Sequence, residues 1–364
     1  MFFIPFIPNQ LNTVILLSLT FLTLIFFFLN STLSKSNRVV NNSSTLVADN
    51  SISFFLEITN IRVVLLFTML SFFYFSNIRI TSSFVLYNQL YINSFSMFIT
   101  LFIYIIYFIL VYLIYILYFY KQHVSLEYLY SIILYIHSSL YLYMSSTIYS
   151  FFFIIELIGV STLLLFSSIS INSTYEVNQH NNNNLSVSKP TKLVSSLFIQ
   201  FWISFFSSIT LILFLILSLY IWNTSYFYEI NLLIESSIDN TTSSIHPLYK
   251  SFWCMLFIFS FFIKSGLSPF HTLKLDIYKG ITLTTVYCYT LLYFTGTYMY
   301  FIYILLCLLP TILLYNYYLI ILILLGCSFY LGVSLFSNKY LKVFLALSSV
   351  LNSLLILLIA LPIM

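Results

Sequence analysis

One apolar run of the chain is interrupted by a charge, a glycine and a proline in the stretch Ile263-Lys264-Ser265-Gly266-Leu267-Ser268-Pro269-Phe270-His271. Proline lacks a backbone donor and its ring clashes with the carbonyl one turn earlier, so a helix entering this stretch is expected to break. A break frees backbone groups beside the Lys264 amine, and broken helices line ion paths in transporters. We predict a broken membrane helix near Lys264–Pro269. The alternative is a lysine that snorkels to the interface beside a helix-ending proline.

The composition is that of an integral membrane protein. Of 364 residues, 61% are hydrophobic and 6% are charged, and the mean hydropathy is +1.03, which excludes an ordinary soluble domain. Runs long enough to cross a bilayer core of about 30 Å predict ten spans, at 11–29, 61–81, 95–120, 127–147, 149–169, 194–222, 252–270, 281–308, 313–336 and 341–362. The predicted fold is all-α, a polytopic membrane helix bundle of about ten transmembrane helices.

The cationic residues orient these spans, because Lys and Arg accumulate in loops on the side from which insertion occurs. An outward N-terminus leaves only Arg79 and Lys250 outside. It places at the inner face Lys35, Arg38, Arg62, Lys121, Lys189, Lys192, Lys274, Lys279, Lys339 and Lys342. Both termini are therefore predicted to face outward. The polar segments 30–60, 171–192 and 223–250 are predicted to be solvated connectors.

Glu156 is a second charge inside an apolar span. A central ionised residue costs about 2.5–3.5 kcal/mol on insertion, so its carboxylate is expected to face protein or water rather than lipid. The alternative interpretation is a protonated, hydrogen-bonded glutamate that serves packing. A buried amine loses its proton readily, whereas a nearby carboxylate stabilises the charged form. We therefore predict a proton relay of Glu156 and Lys264, in which the always-charged arginine could not replace the lysine.

Two histidines are candidates for the same relay, because imidazole titrates near neutral pH. His137 lies midway along the predicted span 127–147, and its alternative role is an interhelical hydrogen bond. His271 is the stronger candidate because it stands at the mouth of the Lys264 site. The neighbouring charges are predicted to be solvated loop residues, namely Lys274, Asp276 and Lys279.

The chain lacks the usual motifs of redox cofactors. It has no Gly-rich phosphate loop, no His-x-x-x-His and no Cys-x-x-Cys pattern. We therefore expect no nucleotide, flavin, haem, iron–sulfur cluster, metal or nucleic acid to bind this chain. Its 40 Phe and 32 Tyr, with little Ala, are typical of an AT-rich coding genome, which for so hydrophobic a chain indicates an organelle.

Three segments carry a family resemblance. The stretch from Lys264 to His271, followed by Asp276-Ile277-Tyr278-Lys279-Gly280, resembles antiporter-like subunit 2 of mitochondrial complex I, or NADH:ubiquinone oxidoreductase chain 2. That family has a Lys at a broken helix, then Pro-Phe-His, then an acidic residue with Val-Tyr-Gln-Gly. Glu156 resembles its span-five Glu, and the segment 341–349 resembles its Lys-Arg-Leu-Leu-Ala-Tyr-Ser-Ser segment. The resemblance runs over about 90–355.

The resemblance implies a membrane-arm subunit of respiratory NADH:ubiquinone reductase, which couples quinone reduction to proton translocation through Glu156 and Lys264. The chain would be part of that enzyme without a redox active site of its own. NADH, FMN, iron–sulfur clusters and ubiquinone are then expected in other subunits. The expected location is the mitochondrial inner membrane, with organelle encoding.

The same resemblance implies a division of the chain. Residues 1–125 would form transmembrane helices 1–3, residues 126–308 a first antiporter-like repeat of helices 4–8, and residues 309–364 the start of a truncated second repeat, helices 9–10. The expected partners are other complex I membrane-arm subunits, lipids, and a separately encoded chain that supplies the missing C-terminal helices.

The span 281–308 departs from the family pattern, because Phe294 stands where the family has a second lysine. The inner part of the relay would then use water, Thr295, Tyr293 or Cys288, or be absent. This motivates a second hypothesis, a structural membrane-arm subunit that has lost pumping. A third hypothesis is an independent cation/proton antiporter, against which the short second repeat speaks.

Overall fold

The computed structural model describes residues 83–85, 88–119, 126–179, 188–239, 247–267, 269–281, 283–337 and 340–360. The predicted spans 11–29 and 61–81 lie outside the described residues. The chain divides into two compact units, Met1–Met144 and Ser145–Met364.

The first unit contains a short hairpin and two helices. Strands β1 (Ser83–Val85) and β2 (Leu90–Ile92) pair antiparallel. Helix α1 spans Ser94–Phe119 and helix α2 spans Leu126–Met144. The two helices pack together, and the Tyr107 and Ser139 hydroxyls share a hydrogen bond of 3.0 Å between them. The hairpin was not predicted from the sequence.

The second unit is helical throughout its described part. Its elements are α3 Ile148–Gln179, α4 Ser188–Trp222, α5 Phe227–Asp239, α6 Pro247–Ser265, α7 His271–Gly280, α8 Leu283–Tyr293, α9 Met299–Tyr303, α10 Pro310–Ser337 and α11 Leu341–Ala360. Two π-helical segments flank α9, namely π1 (Phe294–Tyr298) and π2 (Ile304–Leu308). Together with α8 they form one nearly continuous rod.

The predicted polytopic membrane helix bundle is confirmed. Four described segments are long and apolar enough to cross a membrane: Ile148–Ser168, Val194–Trp222, Thr285–Leu306 and Leu341–Ala360. Three shorter apolar segments match further predicted spans: Phe98–Leu113, Ser251–Ser265 and Ile320–Phe336.

Two of the segments predicted to be solvated connectors contain helical residues. Helix α5 lies inside the segment 223–250, which was expected to be a solvated connector, and α3 and α4 extend into 171–192. The physical reason for α5 is its amphipathic spacing, since Phe227, Ile230 and Ile234 recur on one face and are all buried.

Helix α4 is central to the packing of the second unit, because it contacts α3, α6 and α7. Aromatic side chains fill the space between α3, α6 and α9. The Phe261 ring stacks on Phe151 at 5.8 Å and on Phe301 at 4.3 Å between ring centroids. Phe261 lies one turn before Lys264, so this aromatic core fixes the end of α6 that carries the predicted relay.

Candidate functional site

The break between α6 and α7 is built around Gly266. Gly266 has a φ of 60°, in the left-handed region that favours glycine. Its N–H donates to the Ile263 carbonyl at 3.1 Å, and the Leu267 N–H donates to the Phe262 carbonyl at 3.1 Å. These bonds close the end of α6 in the manner of a glycine C-cap. The predicted broken helix is therefore confirmed, with α6 ending at Ser265 and α7 beginning at His271.

The two predicted relay charges lie together at this break. The Lys264 amine donates to the Glu156 carboxylate at 3.2 Å and to the Ile155 carbonyl at 3.0 Å. The Lys264 side chain is 13% exposed and that of Glu156 is 31% exposed, so the acid is the more accessible partner. An amine with both a charged and a neutral acceptor keeps one hydrogen bond if the carboxylate moves away or becomes protonated.

Gly159 provides the space in which the pair forms. A Cβ atom at this position would lie 2.9 Å from the Ser204 hydroxyl of α4 and 3.8 Å from the Lys264 amine of α6. The missing side chain thus lets α3, α4 and α6 approach closely, as small residues do between membrane helices.

The structure places His271 at the first position of α7. Its buried ring meets the Tyr330 ring of α10 at 5.5 Å between centroids, in an edge-on arrangement. Burial lowers the pKa of the imidazole, and a hydrogen bond to the Pro269 carbonyl opposes that shift. The neutral ring is therefore favoured near neutral pH. Its role in a relay stays a prediction.

His137 belongs to the first unit. It is half-buried on α2, and its Nδ1 lies 2.8 Å from the Ile133 carbonyl one turn earlier. This contact satisfies one ring nitrogen within its own helix. Participation of His137 in the relay stays a prediction.

The prediction that Lys274 is a solvated loop residue is wrong. Its side chain is 6% exposed, and its stem covers Gly266. Its amine lies 5.2 Å from the centroid of the Tyr293 ring and 5.9 Å from that of Tyr278. Helix α7 is outside the candidate membrane spans, and burial lowers the pKa of the Lys274 amine to about 8.

The signal that identifies Lys274 is helical periodicity. The buried residues of α7 are His271, Lys274, Ile277 and Tyr278, at spacings of three and four. The opposite face carries Asp276 and Lys279, which are exposed and paired at 2.8 Å, as expected of solvated charges. The low hydropathy of the segment is typical of a loop, whereas the spacing of its buried residues places Lys274 on the packed face of a helix.

Tyr293 connects this lysine to the break. Its hydroxyl lies near the side chains of Ser265, the neighbour of Lys264, and of Thr297 in π1, whose hydroxyl donates to the Tyr293 carbonyl. Phe294 instead stacks on Tyr298 at 5.5 Å between centroids. Of the groups that the sequence offered for the inner part of the relay, Tyr293 has its ring beside the Lys274 amine.

The described residues contain no cluster of three or more His, Cys, Asp or Glu side chains arranged to hold a metal ion. The groups that meet at the break are amines, a carboxylate and hydroxyls, which can exchange protons, and backbone carbonyls, which accept hydrogen bonds.

No protein-family model matches the chain, and no curated protein matches it. Solved structures do resemble it. A chain of respiratory complex I from Thermus thermophilus with bound aureothin has a TM-score of 0.56 at 12% identity, over 93% of this chain and 64% of that one. A chain of the membrane-bound sulfane sulfur reductase, an archaeal respiratory membrane complex, has a TM-score of 0.64 at 15% identity, over 97% and 64%.

A chain of the Mrp complex from Dietzia sp. DQ12-45-1b has a TM-score of 0.59 at 14% identity, over 85% of this chain and 32% of that one. The chain thus spans less than two thirds of each of these three neighbours. At such identities the likeness shows the fold alone, which is that of a polytopic membrane helix bundle.

Proposed function

We propose that this chain is an antiporter-like membrane-arm subunit of respiratory NADH:ubiquinone reductase in the mitochondrial inner membrane, and that Glu156 and Lys264 move protons within it. The observation that carries the proposal is the 3.2 Å ion pair between these two side chains, at a broken helix and in apolar surroundings. Ionisable groups inside membrane helices are rare and are usually functional.

The pair works as an electrostatic switch. With Glu156 close, the Lys264 ammonium is stabilised by the opposite charge, and the lysine holds its proton. When the carboxylate moves away or is neutralised, the amine is left with the Ile155 carbonyl in an apolar environment. The neutral amine is then favoured, so the lysine releases its proton.

The break supplies the mobility that this switch requires. Between Ser265 and His271 the chain leaves the regular helical hydrogen-bond ladder. A small rotation at Gly266 therefore changes the position of Lys264 against α3 without unwinding a whole helix.

The assignment to a respiratory complex is supported by the sequence motif around Lys264 and by the fold shared with chains of respiratory complexes. Under this assignment NADH, FMN, the iron–sulfur clusters and ubiquinone are bound by other subunits. This chain then contributes proton movement, driven by conformational changes that its partners transmit.

The test compares Lys264→Met with Lys279→Met in the assembled complex. Methionine keeps the length of the stem but cannot carry a proton, and Lys279 is an exposed lysine of the neighbouring helix. NADH oxidation with an artificial acceptor reports assembly, and protons moved per electron delivered to quinone report coupling. We expect Lys264→Met to lower this ratio and Lys279→Met to leave it unchanged. An unchanged ratio in Lys264→Met rejects the relay.

The structural hypothesis has one observation in its favour, the stacking of Phe294 on Tyr298 in π1. If this chain only joins its neighbours, Lys264→Met assembles and translocates protons like the unmodified complex. Substitutions that disturb helix packing would then be the ones that impair the enzyme.

A further inference from the structure

Lys274 is a buried cation without the usual compensation. In the part of the chain that the structure describes, its amine forms neither an ion pair nor a hydrogen bond, and it lies over the Tyr278 and Tyr293 rings. Aromatic faces stabilise a desolvated cation far less than burial of an isolated charge destabilises it. A carboxylate would fix the charged form, whereas these rings leave the amine free to change its protonation state.

The position of Lys274 relates it to the break that follows Lys264. Its stem passes over Gly266, where a Cβ atom would lie 2.9 Å from the Cβ of Lys274. Gly266 follows Ser265, whose side chain interacts with the Tyr293 hydroxyl. The groups gathered around the break are therefore Lys264, Ser265, Tyr293 and Lys274.

We propose that Lys274 is a second proton-carrying residue, which exchanges a proton with Lys264 by way of the Tyr293 hydroxyl. This inference rests on the proposed function of the Glu156–Lys264 pair. In one transfer the Lys264 ammonium loses one proton and the neutral Lys274 amine gains one. The Tyr293 oxygen accepts a proton on one side and releases its own on the other, so that it ends as the same neutral phenol.

The flexible lysine stem makes the transfer feasible. The amine rests over the Tyr293 ring, and rotation about the side-chain bonds carries it towards the hydroxyl of the same residue. Its lowered proton affinity, caused by burial, matches a group that both accepts and releases a proton near neutral pH.

Beyond Lys274 the proposed proton path continues towards α11. The second ring that it contacts, Tyr278, is buried beside Ser349 of that helix. The Tyr298 hydroxyl donates to the Ser353 carbonyl of α11, and α11 packs directly on α7. Protons leaving Lys274 would therefore move away from Glu156 and along the α7–α11 contact.

The experiment uses Lys274→Met and Lys274→Arg in the assembled complex, with Lys279→Met as the matched control on the exposed face of α7. Methionine keeps the apolar stem over Gly266 but has no amine, and arginine keeps a charge that cannot be released. We expect both substitutions to slow quinone-linked proton translocation by about a hundredfold, the lower range for a positioned proton-transfer group. The control should stay at the unmodified rate.

Lys264→Met is measured in the same experiment, so that failure of this inference can be distinguished from failure of the proposed function. If Lys274→Arg alone keeps full translocation, the residue provides only charge and the inference is wrong. If Lys274→Met keeps it, the stem alone matters and the inference is equally wrong. If Lys264→Met impairs translocation while both Lys274 variants are normal, the proposed function survives and this inference fails. A normal Lys264→Met overturns the proposed function itself.

If a Lys274 variant does not assemble, a variant of Tyr293 still tests the inference. Tyr293→Phe preserves the ring under the amine but removes the hydroxyl, and Tyr287→Phe is its control at an exposed position of α8. We expect Tyr293→Phe to assemble normally, to slow translocation and to shift its pH profile. Translocation at the unmodified rate and pH profile in Tyr293→Phe would overturn the inference.

Discussion

The carbonyl of Ile155 accepts a hydrogen bond from the Lys264 amine at 3.0 Å, immediately before the residue whose carboxylate meets the same amine at 3.2 Å. The backbone acceptor is neutral and fixed by α3, whereas the carboxylate is on a flexible side chain. Substitution at position 156 therefore removes the charge but leaves the amine with a partner, so that charge and packing can be tested separately.

Glu156→Gln is expected to impair proton translocation while the complex still assembles. Glutamine has the size of glutamate but cannot carry a negative charge or exchange a proton, and the amine keeps the Ile155 carbonyl. We expect a loss of about a hundredfold in coupled proton movement. The control is Glu235→Gln, since Glu235 is exposed on α5 and accepts a hydrogen bond from Asn231. Equal translocation by the two variants contradicts the prediction.

Gly159→Ala is expected to disturb the site through packing alone. The added Cβ would lie 2.9 Å from the Ser204 hydroxyl and 3.8 Å from the Lys264 amine. Overpacking of this kind costs about 1–3 kcal/mol. The thermal midpoint of the solubilised complex should fall, and coupled translocation should fall with it.

Ser204→Ala tests the cause of that loss, because it removes the atom with which the new Cβ would clash. The double variant should recover most of the stability lost in Gly159→Ala. Gly326→Ala on α10 is the control, since its Cβ would meet no atom within 4 Å. If the double variant is no better than Gly159→Ala, the Gly159–Ser204 contact is not the cause.

Gly266→Ala is expected to damage the break itself. A left-handed φ of 60° costs an L-residue about 1–2 kcal/mol, and the Cβ would lie 2.9 Å from the Cβ of Lys274. Both effects displace α7 from α6. Gly332→Ala on α10 meets no such neighbour. The comparison is made by limited proteolysis and thermal midpoint, and similar behaviour of the two variants would show that the turn tolerates a side chain.

The sequence predicted the break and the charged pair because both depend on rare residues in an apolar background. A proline and a glycine beside Lys264, and one acid in a long apolar run, are local signals that need no knowledge of the packing. That Glu156 and Lys264 meet depends on the close approach of α3 and α6, which a glycine at 159 permits. The sequence contains that glycine but not the position of the helix opposite it.

Lys274 was misassigned because hydropathy and periodicity disagree in α7. The segment averages near neutral hydropathy, as a surface loop does, although His271 and Lys274 share one helical face with Ile277 and Tyr278. In the family pattern, the second ionisable group lies within the span that contains Phe294. In the structure the Lys274 amine of α7 lies against this span, over the Tyr293 ring. Such a contact between two helices cannot be predicted from the spacing of residues along one segment.

Lys274 is expected to make the stability of the complex depend on pH. Burial lowers the pKa of its amine to about 8, below the ordinary lysine value of about 10.4. Below pH 8 both folded and unfolded chains hold the proton, and the folded chain bears the full cost of a buried charge. Between these two values the unfolded chain binds more protons, so stability rises with pH, by an amount on the order of 3 kcal/mol over the window.

The measurement is the difference in thermal midpoint between the unmodified complex and Lys274→Met, below pH 8 and again well above it. The methionine variant should be the more stable below pH 8, and its advantage should shrink as the pH rises, because the unmodified lysine is then neutral. Lys279→Met should show no such trend, since Lys279 is exposed and paired with Asp276. A difference that is constant or grows with pH would mean that the Lys274 amine is not held in a desolvated site. A shrinking difference would instead show a stability cost at the position where the inferred proton exchange with Lys264 requires an exchangeable proton.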